Sequence, residues 1–275
     1  MPGELDLVMI RARRVLLDVL GALKEHRHAI ILVGAQAIYL HTGDADLAVA
    51  PFTQDADLMV NPKTLGPIPV LAEAMQAAGF TQTDQPGIWE SRQERVTVDL
   101  LVPEALGGHP GKRAAYLEGH GNNVARQVRG LEAALIDQEM KHITALEERD
   151  TRRMEITIAG PAALLVAKLH KIAERLDDHR RSQPKDALDV FRLLQAVPSE
   201  TLSTRFALLH RDPLSLETTR SALALLQELF GTETGAGAQL AADAAYPLAE
   251  RAFMTAACAA LTQELVSALP QNLSG

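Results

Sequence analysis

Two carboxylates one residue apart, at the mouth of an apolar strand, constrain this chain more than any other feature. Residues 51–60 read Pro-Phe-Thr-Gln-Asp-Ala-Asp-Leu-Met-Val, so Asp55 and Asp57 lead straight into an apolar run closed by Asn61-Pro62. Side chains at i and i+2 of a strand share a face, so both acids point to one place. Upstream, Ile30-Ile31-Leu32-Val33 reads as a buried strand turning through Gly34 and Ala35 into a helix. Downstream, Val96-Thr97-Val98-Asp99-Leu100-Leu101-Val102 is an apolar strand broken by one acid. A lone buried carboxylate is costly unless paired or metal-bound. If this strand lies beside residues 58–60, Asp99 faces Asp55 and Asp57. Such a set suits a hard cation, Mg2+ or Mn2+, and two ions on shared carboxylates serve in-line phosphoryl or nucleotidyl displacement. A second Asp-x-Asp, Asp44 and Asp46, competes for the role. The Asp55 pair is preferred because it alone follows a threonine, Thr53, and enters a clear strand; the other reads as a polar loop.

From Gly160-Pro161 onward the pattern is helical, with Pro161 suited to a first helical turn. Leu165, Leu169, Ile172 and Leu176 make a core stripe, and Lys168, Lys171 and Arg175 a neighbouring one. Pro184 opens a helix with Ala187, Val190, Phe191 and Leu194 inward and Asp186 and Asp189 on one edge. The lysines read either as snorkelling surface groups or as compact charges for phosphate. The two acids read either as complements to a helix dipole or as part of a site.

Elsewhere the spacing predicts a helix over residues 6–25, a helix over 68–78 closed by Gly79, and an antiparallel pair at 88–91 and 96–102. Short strands are predicted at 131–136 and 154–158. The stretch Gly107-Gly108-His109-Pro110-Gly111-Lys112-Arg113 lacks the spacing and the Ser or Thr of a phosphate loop, and reads as a mobile loop. The nine histidines show no metal spacing, and His170 is expected to be exposed. The single cysteine, Cys258, rules out a disulfide within the chain and reads as core.

A hydrophobic content of 47% with only 4% aromatics points to a Leu/Ala/Val core, hence many helices. No apolar run approaches the roughly 18 residues of a membrane span, and the acidic start Met1-Pro2-Gly3-Glu4-Leu5-Asp6 is unlike a signal sequence. The expectation is a cytoplasmic protein with no membrane partner. A net charge of −8 argues against a long nucleic-acid footprint, although Lys168, Lys171, Arg175, Arg180, Arg181 and Lys185 cluster.

The small-residue turn after an apolar strand, then Thr53-x-Asp55-x-Asp57-Leu58, then Val98-Asp99-Leu100-Leu101, resembles the DNA polymerase β-type nucleotidyltransferase superfamily. Leu164-Leu165-Val166-Ala167-Lys168-Leu169-His170-Lys171, Arg175 and Lys185-Asp186-x-x-Asp189 narrow the resemblance to AbiEii and MenT-type toxin nucleotidyltransferases. The matched segments run from about residue 29 to about residue 195.

The resemblance implies an α+β fold, with a mixed-sheet catalytic core over residues 1–160 and an all-helical domain over 161–275. It implies metal-dependent transfer of an NMP from an NTP to a hydroxyl. Asp55 and Asp57 would bind both metals, and Asp99 would bind the catalytic metal and take the attacking proton. Lys168 and Asp189 would be catalytic, with Gly34, Ala35, Thr53, Lys168, Lys171, Arg175 and Asp186 around the nucleotide. It further implies a toxin acting on tRNA, with a cognate antitoxin. Two departures stand out: Gly34-Ala35 replaces the usual Gly-Gly or Gly-Ser, and the gap before the Asp pair is longer. Alternative readings are nucleotidylation of a small molecule or protein, which the acidic charge favours, and a catalytically silent nucleotide-binding or antitoxin-partner protein.

Overall fold

The structure, a computed structural model, describes residues 4–43, 53–108, 112–176 and 184–273. Asp44, Asp46, Arg180, Arg181 and residues 109–111 therefore lie outside the described residues. The chain divides into two compact units: Met1–Gln36, Phe52–Val128 and Gln138–Ala159 form the first, and Ala37–Pro51, Arg129–Asp137 and Gly160–Gly275 the second.

The first unit is built on one mixed sheet. Helix α1 (Glu4–Ala22) precedes β1 (Ile30–Val33), then α2 (Gly34–Thr42), of which only Gly34–Gln36 belong to this unit, and β2 (Asp55–Val60). Then come α3 (Leu71–Ala77), β3 (Phe80–Gln82), β4 (Ile88–Ser91), β5 (Thr97–Pro103), β6 (Arg126–Val128), β7 (Gln138–Thr144) and β8 (Arg153–Ala159). The strand order is β3-β4-β5-β2-β1-β8-β7, with β6 pairing β5. Strand β2 runs parallel to β5 and antiparallel to β1, while β1 runs parallel to β8. Alternation in β2, β4 and β5 sends Ala56, Leu58, Trp89, Val98 and Leu100 into a layer with at most 1% exposure. The Trp89 indole N–H, which needs a partner once buried, donates to the Val124 carbonyl at 3.0 Å. Helix α1 packs on β2 and β5 and buries Ala12, Val15, Leu16 and Val19.

Residues 131–136 were expected as a strand but contain a 3-10 helix, Leu131–Leu135. Its backbone is satisfied locally: Gly130 N–H donates to the Glu132 carboxylate, and Ile136 and Asp137 N–H groups donate to Ala133 O. Such local bonding competes with a sheet ladder. The neighbouring strand β7 went unread because it is an edge strand of Gln, Glu, Lys and His in which Ile143 alone is buried, so it carries no period-two apolar pattern. Helix α3 begins at Leu71 rather than near 68, because Pro67 and Pro69 favour extended backbone before them.

The second unit is helical: α4 (Pro161–Leu176), α5 (Pro184–Ala196), α6 (Ser199–Arg211), α7 (Leu216–Phe230), α8 (Ala236–Ala245) and α9 (Arg251–Ala268). Asp137 caps α4, accepting the Ala163 N–H at 3.0 Å while pairing with Arg205 at 2.5 Å. His170, expected exposed, is buried and bonds Thr218 O at 2.9 Å. Gly130 makes room for it, since a Cβ there would lie 2.8 Å from the imidazole. Cys258 is buried, and burial pushes its thiol up to about 12, so it is held as an inert thiol. The architecture is thus α+β: a mixed sheet in the N-terminal half, then α4–α9. Among the described residues no helix is long and apolar enough to cross a membrane.

A buried polar relay in the first unit fixes the start of β2. Arg13 Nε donates to Gln36 Oε1 at 3.1 Å and Arg13 Nη1 to Thr144 O at 2.9 Å. Gln36 Nε2 in turn donates to Asp55 O at 3.1 Å and Ala12 O at 3.3 Å. Arg13 and Gln36 are buried, and burial lowers the Arg13 pKa from its ordinary value. Replacing Gln36 by Leu keeps the volume but strands these buried partners. It is predicted to cost about 1–3 kcal/mol in urea unfolding, and an unchanged midpoint at equal slope would contradict the role given to the relay.

Candidate active site

The acids are placed by register. Asp57 stands opposite Asp99 on one side and Val33 on the other, and Asp55 stands opposite Thr97. Paired residues project to the same face of a sheet, so Asp55, Asp57 and Asp99 share one face, away from the apolar layer of Ala56, Leu58, Val98 and Leu100. All three are half-buried. Thr53 is fully buried and its hydroxyl donates to Asp55 Oδ1 at 2.5 Å, which fixes that carboxylate.

Gly34 opens α2 with φ at +69°, and a Cβ there would collide with the Asp57 carboxylate. Glycine is therefore needed twice, for the left-handed backbone and for the space Asp57 occupies. Ala35 follows in the first turn of α2 and is buried.

The residue that sequence reasoning missed is Arg126, whose Nη2 donates to Asp99 Oδ2. It lies in a three-residue strand with no periodicity to read. The one available sign was Asp99 itself, an acid in an apolar strand that required a partner. Oxygen donors of this kind fit a hard divalent cation. Among the described residues, however, no three His, Cys, Asp or Glu side chains are gathered closely enough to hold one.

The second set of expected site residues forms a network within the helical unit. Lys168 Nζ lies 2.6 Å from Asp186 Oδ1 and 2.8 Å from Asp189 Oδ2, and all three residues are buried. Lys171 reaches Asp186 Oδ1 at 3.0 Å, and Arg175 lies 3.6 Å from Asp186 Oδ2. Three cations thus converge on two carboxylates. Burial works to lower the Lys168 pKa, but the attraction of Asp186 and Asp189 outweighs it and holds the ammonium well above its ordinary value. Burial likewise works to raise the Asp186 pKa, and Lys168 and Lys171 overcome it and hold the carboxyl well below the usual range. The side chains of Lys171 and Arg175 keep 31% and 19% exposure, so they, rather than Lys168 at 7%, retain access to solvent.

A family model described as nucleotidyltransferase matches residues 14–212, well over half of the chain and inclusive of every residue named in this section. The chain belongs to the nucleotidyltransferase family. It is accordingly a transferase of nucleotide groups. Searches of curated proteins and of solved structures return no match. In this nucleotidyltransferase the Gly34 turn, the strand acids and the lysine helix all fall inside the matched span.

Breaking a buried ion pair from one side leaves an uncompensated charge, so Lys168→Met is predicted to cost about 3–5 kcal/mol. Asp186 has a depressed folded pKa, so its contribution is present above its unfolded value near 3.8 and is lost as pH falls through the folded one. Lys168 has a raised pKa, so its contribution is present below 10.5 and is lost as pH rises through the folded value. The Lys168→Met deficit in chemical denaturation should therefore be flat from about pH 5 to pH 9 and shrink in acid. A deficit under 1 kcal/mol at pH 7 would show that the network does not hold α4 to α5.

Proposed function

We propose that this nucleotidyltransferase moves an NMP from an NTP to a hydroxyl acceptor at the face carrying Asp55, Asp57 and Asp99. The observation that carries this reading is the register that sets Asp57 beside Asp99, with Asp55 two residues away on the same face. Asp55, Asp57 and Asp99, which share a face without being gathered around a cation here, would have to draw together to hold Mg2+ or Mn2+. Such ions neutralise the triphosphate and make the attacking hydroxyl more acidic. Asp99 accepts the proton of that hydroxyl as its oxygen bonds to the α-phosphorus, the bond from that phosphorus to the bridging oxygen breaks, and pyrophosphate leaves. Thr53 holds Asp55 in orientation, and Gly34 leaves room for Asp57.

Lys171 and Arg175 are proposed as phosphate-binding groups, since they keep solvent access while anchored on Asp186. Lys168, Asp186 and Asp189, being buried, act in this reading as positioning residues for those two. The resemblance to AbiEii and MenT-type enzymes supports tRNA as the acceptor, a cytoplasmic toxin role and a cognate antitoxin. A second reading, a small-molecule or protein acceptor, is favoured by the net charge of −8, because a long phosphate backbone prefers a basic surface.

Asp57→Ala is predicted to abolish pyrophosphate release from an NTP while leaving the fold intact, because it removes one of several like charges from the acidic face. Equal release by parent and variant in Mg2+ would refute the assignment of the face. Incubation with labelled NTP, Mg2+ and total cellular RNA on a denaturing gel then identifies the acceptor: label at tRNA size supports the first reading, and label on protein or small molecule the second.

A further inference from the structure

Arg126 is held more firmly than a surface arginine would be. Its backbone lies in β6 opposite Leu101 of β5, and on its other side it bridges Ala114. The flanking bonds Ala115 N–H to Ala125 O, at 3.0 Å, and Gln127 N–H to Arg113 O, at 2.8 Å, fix it further. Gly87, with φ at +74°, ends the approach to β4 and lets β6 come close: a Cβ at Gly87 would lie 2.6 Å from both Arg126 N and Leu100 O. Three local constraints thus aim one guanidinium at one oxygen of Asp99. The pair is largely sealed, with 16% and 15% side-chain exposure. Arg126 Nε is buried without a hydrogen-bond partner among the described residues, a cost that a freely chosen rotamer would avoid.

We propose that Arg126 is a resident counter-cation of the acidic face, which a divalent cation must displace from Asp99 before the three carboxylates can share it. This rests on the reading of these acids as the cation site. With Arg126 in place, Asp99 has spent its Oδ2 on a charge-assisted hydrogen bond, and the guanidinium cancels part of the field that draws a cation in. Removing the arginine leaves Asp99 beside Asp57 without that neutralising charge, so the apo protein loses stability while its appetite for a cation rises. Arg126 on this account raises the cation concentration at which the enzyme becomes competent, and touches neither the reacting phosphorus nor the attacking oxygen.

The experiment is Mn2+ titration by calorimetry on the purified full chain, with no nucleotide present, comparing parent, Arg126→Met, Arg126→Lys, Asp99→Asn and Arg126→Met/Asp99→Asn. Arg126→Met should bind Mn2+ more tightly, on the order of tenfold. Arg126→Lys, which keeps the charge but loses the planar fork, should tighten it less. In the Asp99→Asn background, where no carboxylate is released, removing Arg126 should tighten Mn2+ binding by less than it does in the parent, and an equal or larger gain there overturns the proposal. Should Arg126→Met not fold, the lysine variant carries the same test. Parent-like or weaker Mn2+ binding by the folded Arg126 variants overturns the proposal, and does so without touching the cation-site reading if Asp57→Asn still loses Mn2+. Absence of Mn2+ binding by both the parent and a folded Arg126→Met variant overturns both.

Discussion

The pairing of β2 with β5 in one register is the constraint on which the rest of the first unit depends. A one-residue slip of either strand would turn its acids into the apolar layer, where an unpaired carboxylate costs far more than any side chain of that layer contributes. In the observed register the acids crowd instead. Cβ atoms on neighbouring strands lie roughly 5 Å apart, and two carboxylates at that distance repel by about 3 kcal/mol at an effective dielectric near 20. One buried leucine contributes about 1.5–3 kcal/mol, which does not safely cover that repulsion. The layer of Ala56, Leu58, Trp89, Val98 and Leu100 does, and Thr53, Arg126 and the Gln36 relay then fix what the layer has brought together.

The helical unit solves the opposite problem, a buried ammonium. Lys168 stays charged in a site that would otherwise neutralise it because two carboxylates one helical turn apart on α5 converge on it. The same pair anchors Lys171 and Arg175 through Asp186, so a single network both joins α4 to α5 and sets the direction of two accessible cations. Its buried part, Lys168 with Asp186 and Asp189, is what the helix pair requires.

The acidic face was legible in the sequence because alternation in a strand reports face directly, and because an acid in an apolar run is costly without a partner. Arg126 was not legible: three residues cannot show a period, and its position depends on Gly87 admitting β6 beside β5. The helical unit shows a subtler gap. The spacing of Lys168, Lys171 and Arg175 identified their stripe correctly, but a helical stripe beside a core stripe is covered or open according to what packs there, which spacing alone does not carry. Lys168 proved buried and Lys171 accessible for that reason, and His170 was misread as exposed on the same ground. Residues 131–135 failed differently, since a compact 3-10 turn closed by Gly130 and Glu132 has the same short apolar composition as a strand.

Asp55, Asp57 and Asp99 are proposed to hold the reaction's divalent cation jointly. Substituting Fe2+ for Mg2+ and adding ascorbate and peroxide generates hydroxyl radicals at the bound ion, and the cleaved backbone positions can be read by mass spectrometry. Cuts confined to the residues flanking Gly34, Asp55–Asp57 and Asp99, and suppressed by excess Mg2+, are the result this account predicts. Cuts that fall in the helical unit alone, or that persist unchanged in Asp57→Asn, would contradict it.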